Sequence, residues 1–232
     1  MRRFWPRIAL PRSNSQSVPL PTLRVNEIFY SLQGETSRVG LPTVFVRLTG
    51  CPLRCSYCDT SYAFQEGEIL ELPEILGKVA QYHARYVTVT GGEPLAQKNC
   101  LVLLRQLCDA GYAVSLETGG ALDISNVDPR VSRILDIKTP GSGESERNRW
   151  ENLECLTPQD EVKFVLCGEE DYLWMKQVLG ERHIADHCQV LLSASQGQLE
   201  PTVLAEWMLR DNLPVRLQIQ LHKLLWGDGR GK

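Results

Sequence analysis

Seven short runs of β-branched and aliphatic residues recur along the chain, most of them separated by stretches with helical spacing, and this alternation limits the fold more than any other feature. The runs are TVFVRLT at 43–49, RYVTVT at 85–90, YAVSLE at 112–117, RILDIK at 133–138, EVKFVLC at 161–167, CQVLLS at 188–193 and PVRLQIQ at 214–220. Their length and near-continuous apolar character fit buried strands. Between them, ELPEILGKVAQYHA (71–84), AQKNCLVLLRQLCDAG (96–111) and EEDYLWMKQVLG (169–180) repeat apolar residues at three- and four-residue steps, with Gly111 and Gly180 placed to end the last two. EPTVLAEWMLRDN (200–212) behaves alike, with Pro201 suited to a first turn. Strands that alternate with helices lie parallel, joined by right-handed crossovers, and carry their chemistry at the carboxyl ends. Six or seven such units are too few to close an eight-fold barrel. The expected fold is therefore an α/β partial, open TIM-type barrel of about six parallel strands with flanking helices.

A chain of 232 residues with 43% hydrophobic content can bury one sizeable core. Residues 25–232 are expected to form a single domain. Residues 1–24 carry five arginines, no acid and no apolar period, and read as a disordered basic arm. A formal charge of −3 gives no general attraction to nucleic acid or to anionic membranes. With no long apolar run for export or for a membrane span, a cytoplasmic protein is expected.

At the strand ends the polar residues should share one rim. The first strand runs into Gly50-Cys51, the second into Thr90-Gly91-Gly92-Glu93-Pro94, the third into Glu117-Thr118-Gly119-Gly120, and the fourth ends in Asp136-Ile137-Lys138-Thr139. Of the eight cysteines, Cys51, Cys55 and Cys58 lie in GCPLRCSYCDT, separated by three residues and then two. The other five sit in apolar segments and read as small buried hydrophobes. Thiolates at such spacing can wrap one metal centre from a single loop, and both zinc and iron–sulfur clusters accept them. A structural zinc site closes with four ligands, whereas three thiolates on a four-iron cube leave one iron open for a substrate or cofactor. A zinc-stabilised binding module with a distant fourth ligand remains the alternative.

The three cysteines match the C-x3-C-x2-C signature of the radical S-adenosylmethionine enzymes, and Thr90–Pro94 resembles the glycine-rich segment of that superfamily. More narrowly, EIFYSLQGE (27–35), VFVRLTGCPLRCSYCDT (44–60), TVTGGEPL (88–95) and LQIQLHKLLW (217–226) resemble the 7-carboxy-7-deazaguanine synthase family of queuosine and 7-deazapurine biosynthesis. The resemblance implies a lyase that contracts the pterin substrate 6-carboxy-5,6,7,8-tetrahydropterin to 7-carboxy-7-deazaguanine with loss of ammonia. It further implies a [4Fe-4S] cluster, S-adenosyl-L-methionine, Mg2+, an external electron donor such as flavodoxin, and a homodimer. A glycyl-radical activase would share the cluster and the short barrel, but would need a groove for a protein loop.

Carried over by position, the resemblance assigns Leu32, Gln33, Gly34, Arg47 and Thr90 to the substrate. An Arg suits a carboxylate because its fixed fork of donors can grip two oxygens. Cys51, Cys55 and Cys58 are assigned to the cluster and Thr60 to Mg2+, with a helix N-cap as the plain alternative for Thr60. Gly92, Glu117, Asp136, Lys138, Ser193, Ala194, Ser195 and Gln196 are assigned to S-adenosylmethionine. Glycine at 92 is expected to let a ligand approach the backbone. His222 and Lys223 receive no role beyond packing, and no contact is assigned to the terminal WGDGRGK.

Overall fold

The computed structural model describes residues 20–227 and 229–232, so the expected basic arm lies outside the described residues up to position 19. The arm's expected boundary moves. Strand β1 (Thr22–Leu32) already begins inside it, and Leu23 is buried. The elements that follow are β2 (Pro42–Leu48), β3 (Glu68–Glu71), α1 (Leu72–Ala80), β4 (Tyr86–Gly91), α2 (Cys100–Asp109), β5 (Ala113–Thr118), β6 (Ser132–Ile137), β7 (Glu161–Leu166), α3 (Glu169–Arg182), β8 (Gln189–Ala194), α4 (Pro201–Asp211), β9 (Arg216–Gln218) and α5 (Leu221–Trp226).

The strands form one sheet in the order β3-β1-β2-β4-β5-β6-β7-β8-β9. From β2 to β9 every neighbouring pair is parallel, which gives seven parallel strands where about six were expected. β1 adds antiparallel to β2, and β3 to β1. The alternation with helices is incomplete. No α-helix joins β5 to β6, and only short 3-10 turns lie between β6 and β7.

One loop shows that the sheet curls. Residues 33–41 join β1 to β2 at the amino ends of the parallel strands. Gln33 Nε2 donates to Thr88 Oγ1 of β4, the Ser37 amide donates to Glu161 of β7, and the Thr36 amide donates to Gln218 Oε1 of β9 at 2.9 Å. In a flat sheet β9 would stand six spacings from β2, roughly 29 Å at about 4.8 Å each, beyond the reach of six residues of chain. The sheet therefore wraps around this loop, which floors an open half-barrel.

Period-two alternation sorts the strand residues between two environments. Val44, Val46, Val87, Val89, Leu116, Leu135, Val162, Phe164 and Leu192 point outward and pack with Leu72, Ile75, Leu103, Leu107, Tyr172 and Leu204 of the helices into one apolar core. Their neighbours Arg47, Thr90, Glu117, Asp136, Lys163 and Ser193 face inward and line a cavity. The strands are thus not apolar on both faces. Helix α3 runs through Gly180, and His183, with φ of 51°, takes the left-handed position expected of that glycine. Gly111, with φ of 88°, follows α2 as expected.

Candidate active site

β2 delivers the chain to the cysteine loop at the carboxyl rim. Gly50, with φ of 97°, makes the turn out of the strand; its amide donates to Ala63 O at 2.9 Å and its carbonyl accepts from Glu93 N at 2.7 Å. Cys51, Cys55 and Cys58 are free, half-buried thiols on one cavity of about 770 Å³. None of the other five cysteines lines it. Among the described residues no three His, Cys, Asp or Glu side chains gather around one point as a single tetrahedral ion would require. A four-iron cube takes each thiolate at its own corner, and three free thiols on one cavity wall are a donor set that would suit it. Burial pushes the Cys55 thiol up to about 11, and Lys138 offsets part of that rise. Cationic iron would supply the compensation a thiolate needs there.

All seventeen residues assigned from the sequence line this cavity, from Leu32, Gln33 and Gly34 on the floor to Ser193, Ala194, Ser195 and Gln196 at the end of β8. Their contacts divide them into three groups. On the floor, Glu117 accepts from Thr90 Oγ1 at 2.9 Å and from Gln33 Nε2 at 3.2 Å. Glu117, assigned to the cofactor, is thus hydrogen-bonded to two residues assigned to the substrate. Burial first, and then repulsion from Glu35, raises its pKa. The Glu35 carboxylate is paired with Lys163 and accepts from Gln220 Nε2 at 2.7 Å. Burial alone would raise Glu35; the attraction and hydrogen bond of Lys163 outweigh it and hold the group below its usual value.

A second group lies beside the cysteines. Lys138 Nζ is 3.0 Å from Asp136 Oδ2. Asp136 Oδ1, Ser193 Oγ and Tyr57 OH are buried with no hydrogen-bond partner among the described residues, although all three residues line the cavity. Polar atoms left in this way call for a ligand, since an unmet buried group is costly.

The third group surrounds Arg47. Its Nε lies 2.6 Å from Glu27 Oε1, and Tyr62 OH donates to the same oxygen at 3.0 Å. Phe29 and Tyr62 flank the guanidinium at 5.8 and 5.9 Å. Among the described residues its terminal nitrogens make no hydrogen bond, so the fork of donors stays open toward the cavity. Thr60 precedes a short 3-10 helix but makes no side-chain cap; its Oγ1 donates instead to Asp59 Oδ1 at 2.7 Å. Asp59 would be raised by burial, but the Thr60 bond and the Lys223 charge bring it down to about 2. Lys223 Nζ lies 3.4 Å from that carboxylate.

Two glycines have reasons the sequence did not supply. A Cβ on Gly92 would stand 2.4 Å from Gly50 O and 2.9 Å from Cys51 Cβ, so the absence of a side chain here admits the cysteine loop, while the Gly92 backbone also lines the cavity. A Cβ on Gly34 would stand 2.2 Å from His222 Nδ1. His222 therefore packs on the floor turn, as expected of it, and also lines the cavity. Glu27, Glu35, Tyr57, Lys163 and Gln220 were missed. Lys163 had a signal, being a charge inside an apolar strand run, as Arg47 is.

A family model for the radical SAM superfamily matches residues 45–136, from β2 through the cysteines to Asp136. The chain is 48% identical over 213 residues to the 7-carboxy-7-deazaguanine synthase of Chlorobaculum tepidum, covering 90% of this chain and 97% of that protein. It is 38% identical to the synthase of Koribacter versatilis, covering 88% and 97%. The crystal structure of QueE from Escherichia coli superposes with a TM-score of 0.72 over 87% of this chain and 95% of that one, at 22% identity, which establishes the shared half-barrel fold. Among the described residues no helix is long and apolar enough to cross a membrane. On sequence, fold and the residues gathered around three thiols, the chain belongs to the 7-carboxy-7-deazaguanine synthase family of radical SAM enzymes.

Proposed function

We propose that this cavity binds 6-carboxy-5,6,7,8-tetrahydropterin and converts it to 7-carboxy-7-deazaguanine with release of ammonia. The observation that carries the reading is the arrangement of one open guanidinium, Arg47, and three half-buried thiols on the walls of the same cavity. Cys51, Cys55 and Cys58 would hold a [4Fe-4S] cluster, which with S-adenosylmethionine bound would supply radical chemistry once an electron is delivered. Every other requirement falls on side chains.

Arg47 grips the substrate carboxylate through its terminal nitrogens while Glu27 fixes its Nε, which holds the carboxylate-bearing carbon in one place. Gln33, Thr90 and Glu117 take the pterin ring, where a carboxylate and an amide can meet ring N–H and carbonyl groups. Leu32 and Gly34 complete that floor. Asp136, Lys138, Ser193, Ala194, Ser195 and Gln196 hold the nucleoside, whose hydroxyls and base would satisfy the orphaned Asp136 and Ser193 oxygens. Gly92 serves by letting Cys51 close against β4. Thr60 offers Mg2+ a hard hydroxyl oxygen, and Asp59 beside it offers an ionised carboxylate. Electrons come from an external donor such as flavodoxin. The enzyme works as a cytoplasmic homodimer, consistent with exposed Ile219, Leu224 and Leu225 at the end of the chain.

The test is anaerobic turnover of reconstituted protein with reductant, S-adenosylmethionine, Mg2+ and the tetrahydropterin, read by mass spectrometry. We expect 7-carboxy-7-deazaguanine in excess over the S-adenosylmethionine consumed. Formation of 5'-deoxyadenosine and methionine alone would leave the radical chemistry standing and overturn the substrate.

A further inference from the structure

The cysteine loop has no regular secondary structure of its own, so something outside it must fix its shape. Its central stretch is held by residues that follow β6. Ser56, next to Cys55, donates through its amide to Ser142 O at 2.9 Å and through its Oγ to Gly141 O at 2.7 Å. The neighbouring Arg54 amide donates to Glu144 Oε1 at 2.6 Å. These contacts join residues more than eighty positions apart in sequence. The two Ser56 contacts work only if the turn at 139–142 is itself held still.

That turn is anchored from behind by Asp171 in the first turn of α3. The residue is 2% exposed, and its side chain reaches out of its own helix. Oδ1 accepts from Gly141 N at 2.7 Å, while Oδ2 accepts from Thr139 Oγ1 at 3.0 Å and from Cys167 N at 2.8 Å. The packing leaves no slack. A Cβ on Gly141 would stand 2.5 Å from Asp171 Oδ2 and 2.9 Å from Cys167 Cβ. Asp171 does not line the cavity, and its hydrogen-bond partners Thr139, Gly141 and Cys167 are none of the residues assigned to substrate or cofactor.

We propose that Asp171 is a positioning residue for the cluster: through Thr139 and Gly141 it clamps the turn that holds Ser56, and so sets the placement of the adjacent Cys55 and of Cys58, whose amide donates to Cys55 O at 3.2 Å. The chain of contact runs from helix to turn to cysteine loop with no ligand needed to complete it. This rests on the reading that the three cysteines hold the cluster, a reading tested separately by iron retention in Cys51→Ala, Cys55→Ala and Cys58→Ala.

The experiment compares the parent with Asp171→Asn, Gly141→Ala, Ser56→Ala and the Asp171→Asn/Ser56→Ala double variant. The buried Arg133–Asp160 pair at the opposite end of β6 supplies a control, Asp160→Asn, that weakens the fold away from the loop. In the apo protein the rate of alkylation of Cys55 and Cys58 is followed by peptide mass spectrometry, and in the reconstituted protein the rate of iron loss to a chelator. Asp171→Asn and Gly141→Ala should speed both on the order of tenfold, as loss of hydrogen bonds to one buried charged acceptor implies. The double variant should be little worse than Asp171→Asn alone, because both substitutions break one chain of contacts. Asp160→Asn should lower the melting temperature and leave both rates near the parent's. Parent-like rates in Asp171→Asn, additive effects in the double variant, or equal acceleration in Asp160→Asn would each overturn the proposal.

Discussion

Gly92→Ala tests the reason for the second glycine after β4. The new methyl would sit 2.4 Å from the Gly50 carbonyl oxygen, 2.7 Å from its carbon and 2.9 Å from Cys51 Cβ. Ordinary contact begins near 3.4 Å, so the backbone at Gly50 must retreat by about 1 Å. It cannot do so freely, because Gly50 O accepts from Glu93 N at 2.7 Å and Gly50 N donates to Ala63 O at 2.9 Å. Overpacking of this kind costs about 1–3 kcal/mol, and in a protein of this length that lowers the melting temperature by roughly 2–12 °C. The displaced residue next to Gly50 is a proposed cluster ligand, so iron content after reconstitution should fall together with stability. Iron and sulfide analysis, the electron paramagnetic resonance of the reduced cluster and a thermal melt would check this. A variant that keeps full iron and parent stability but loses S-adenosylmethionine affinity would refute the packing argument and restore direct ligand approach as the reason for the glycine.

Two further outcomes follow from the charged groups. Glu27→Gln removes the charge that fixes Arg47 Nε but keeps an acceptor oxygen, and should raise the KM for the pterin several-fold, the scale of the difference between a charge-assisted and a neutral hydrogen bond, while leaving iron content and the S-adenosylmethionine KM unchanged; steady-state kinetics with each ligand varied decides it. Lys163→Met leaves Glu35 buried without its cation and should destabilise the fold by about 3–5 kcal/mol in urea unfolding, with Glu35→Gln in the same chain recovering part of the loss. Because the Glu35 pKa is lowered in the folded state, the pair's contribution is complete above the ordinary carboxylate value of 4.5 and drains away as pH falls through the folded value. Glu35→Gln should flatten that acid limb of the stability curve.

The parallel strands were legible in the sequence because a run such as EVKFVLC carries its own evidence: the length and the apolar side chains are local properties. The same holds for the cysteine loop, whose three thiols lie within eight residues, and for Gly111 at the end of α2. β1 and β3 were missed because β1 mixes polar and apolar residues on a half-exposed strand and β3 is only four residues long. The end of α3 was misplaced because a glycine can sit within a helix and a histidine can take the left-handed turn that closes it. Tertiary structure alone decided what each inward-facing side chain meets. Gln33 with Glu117, Glu35 with Lys163 and Gln220 with Glu35 are pairs separated by 84, 128 and 185 positions, and Asp171 reaches the turn that holds Ser56. Periodicity states which face of a strand a residue occupies, but the curl of the sheet determines which strands face one another across the cavity, and that curl belongs to the assembled sheet rather than to any one segment.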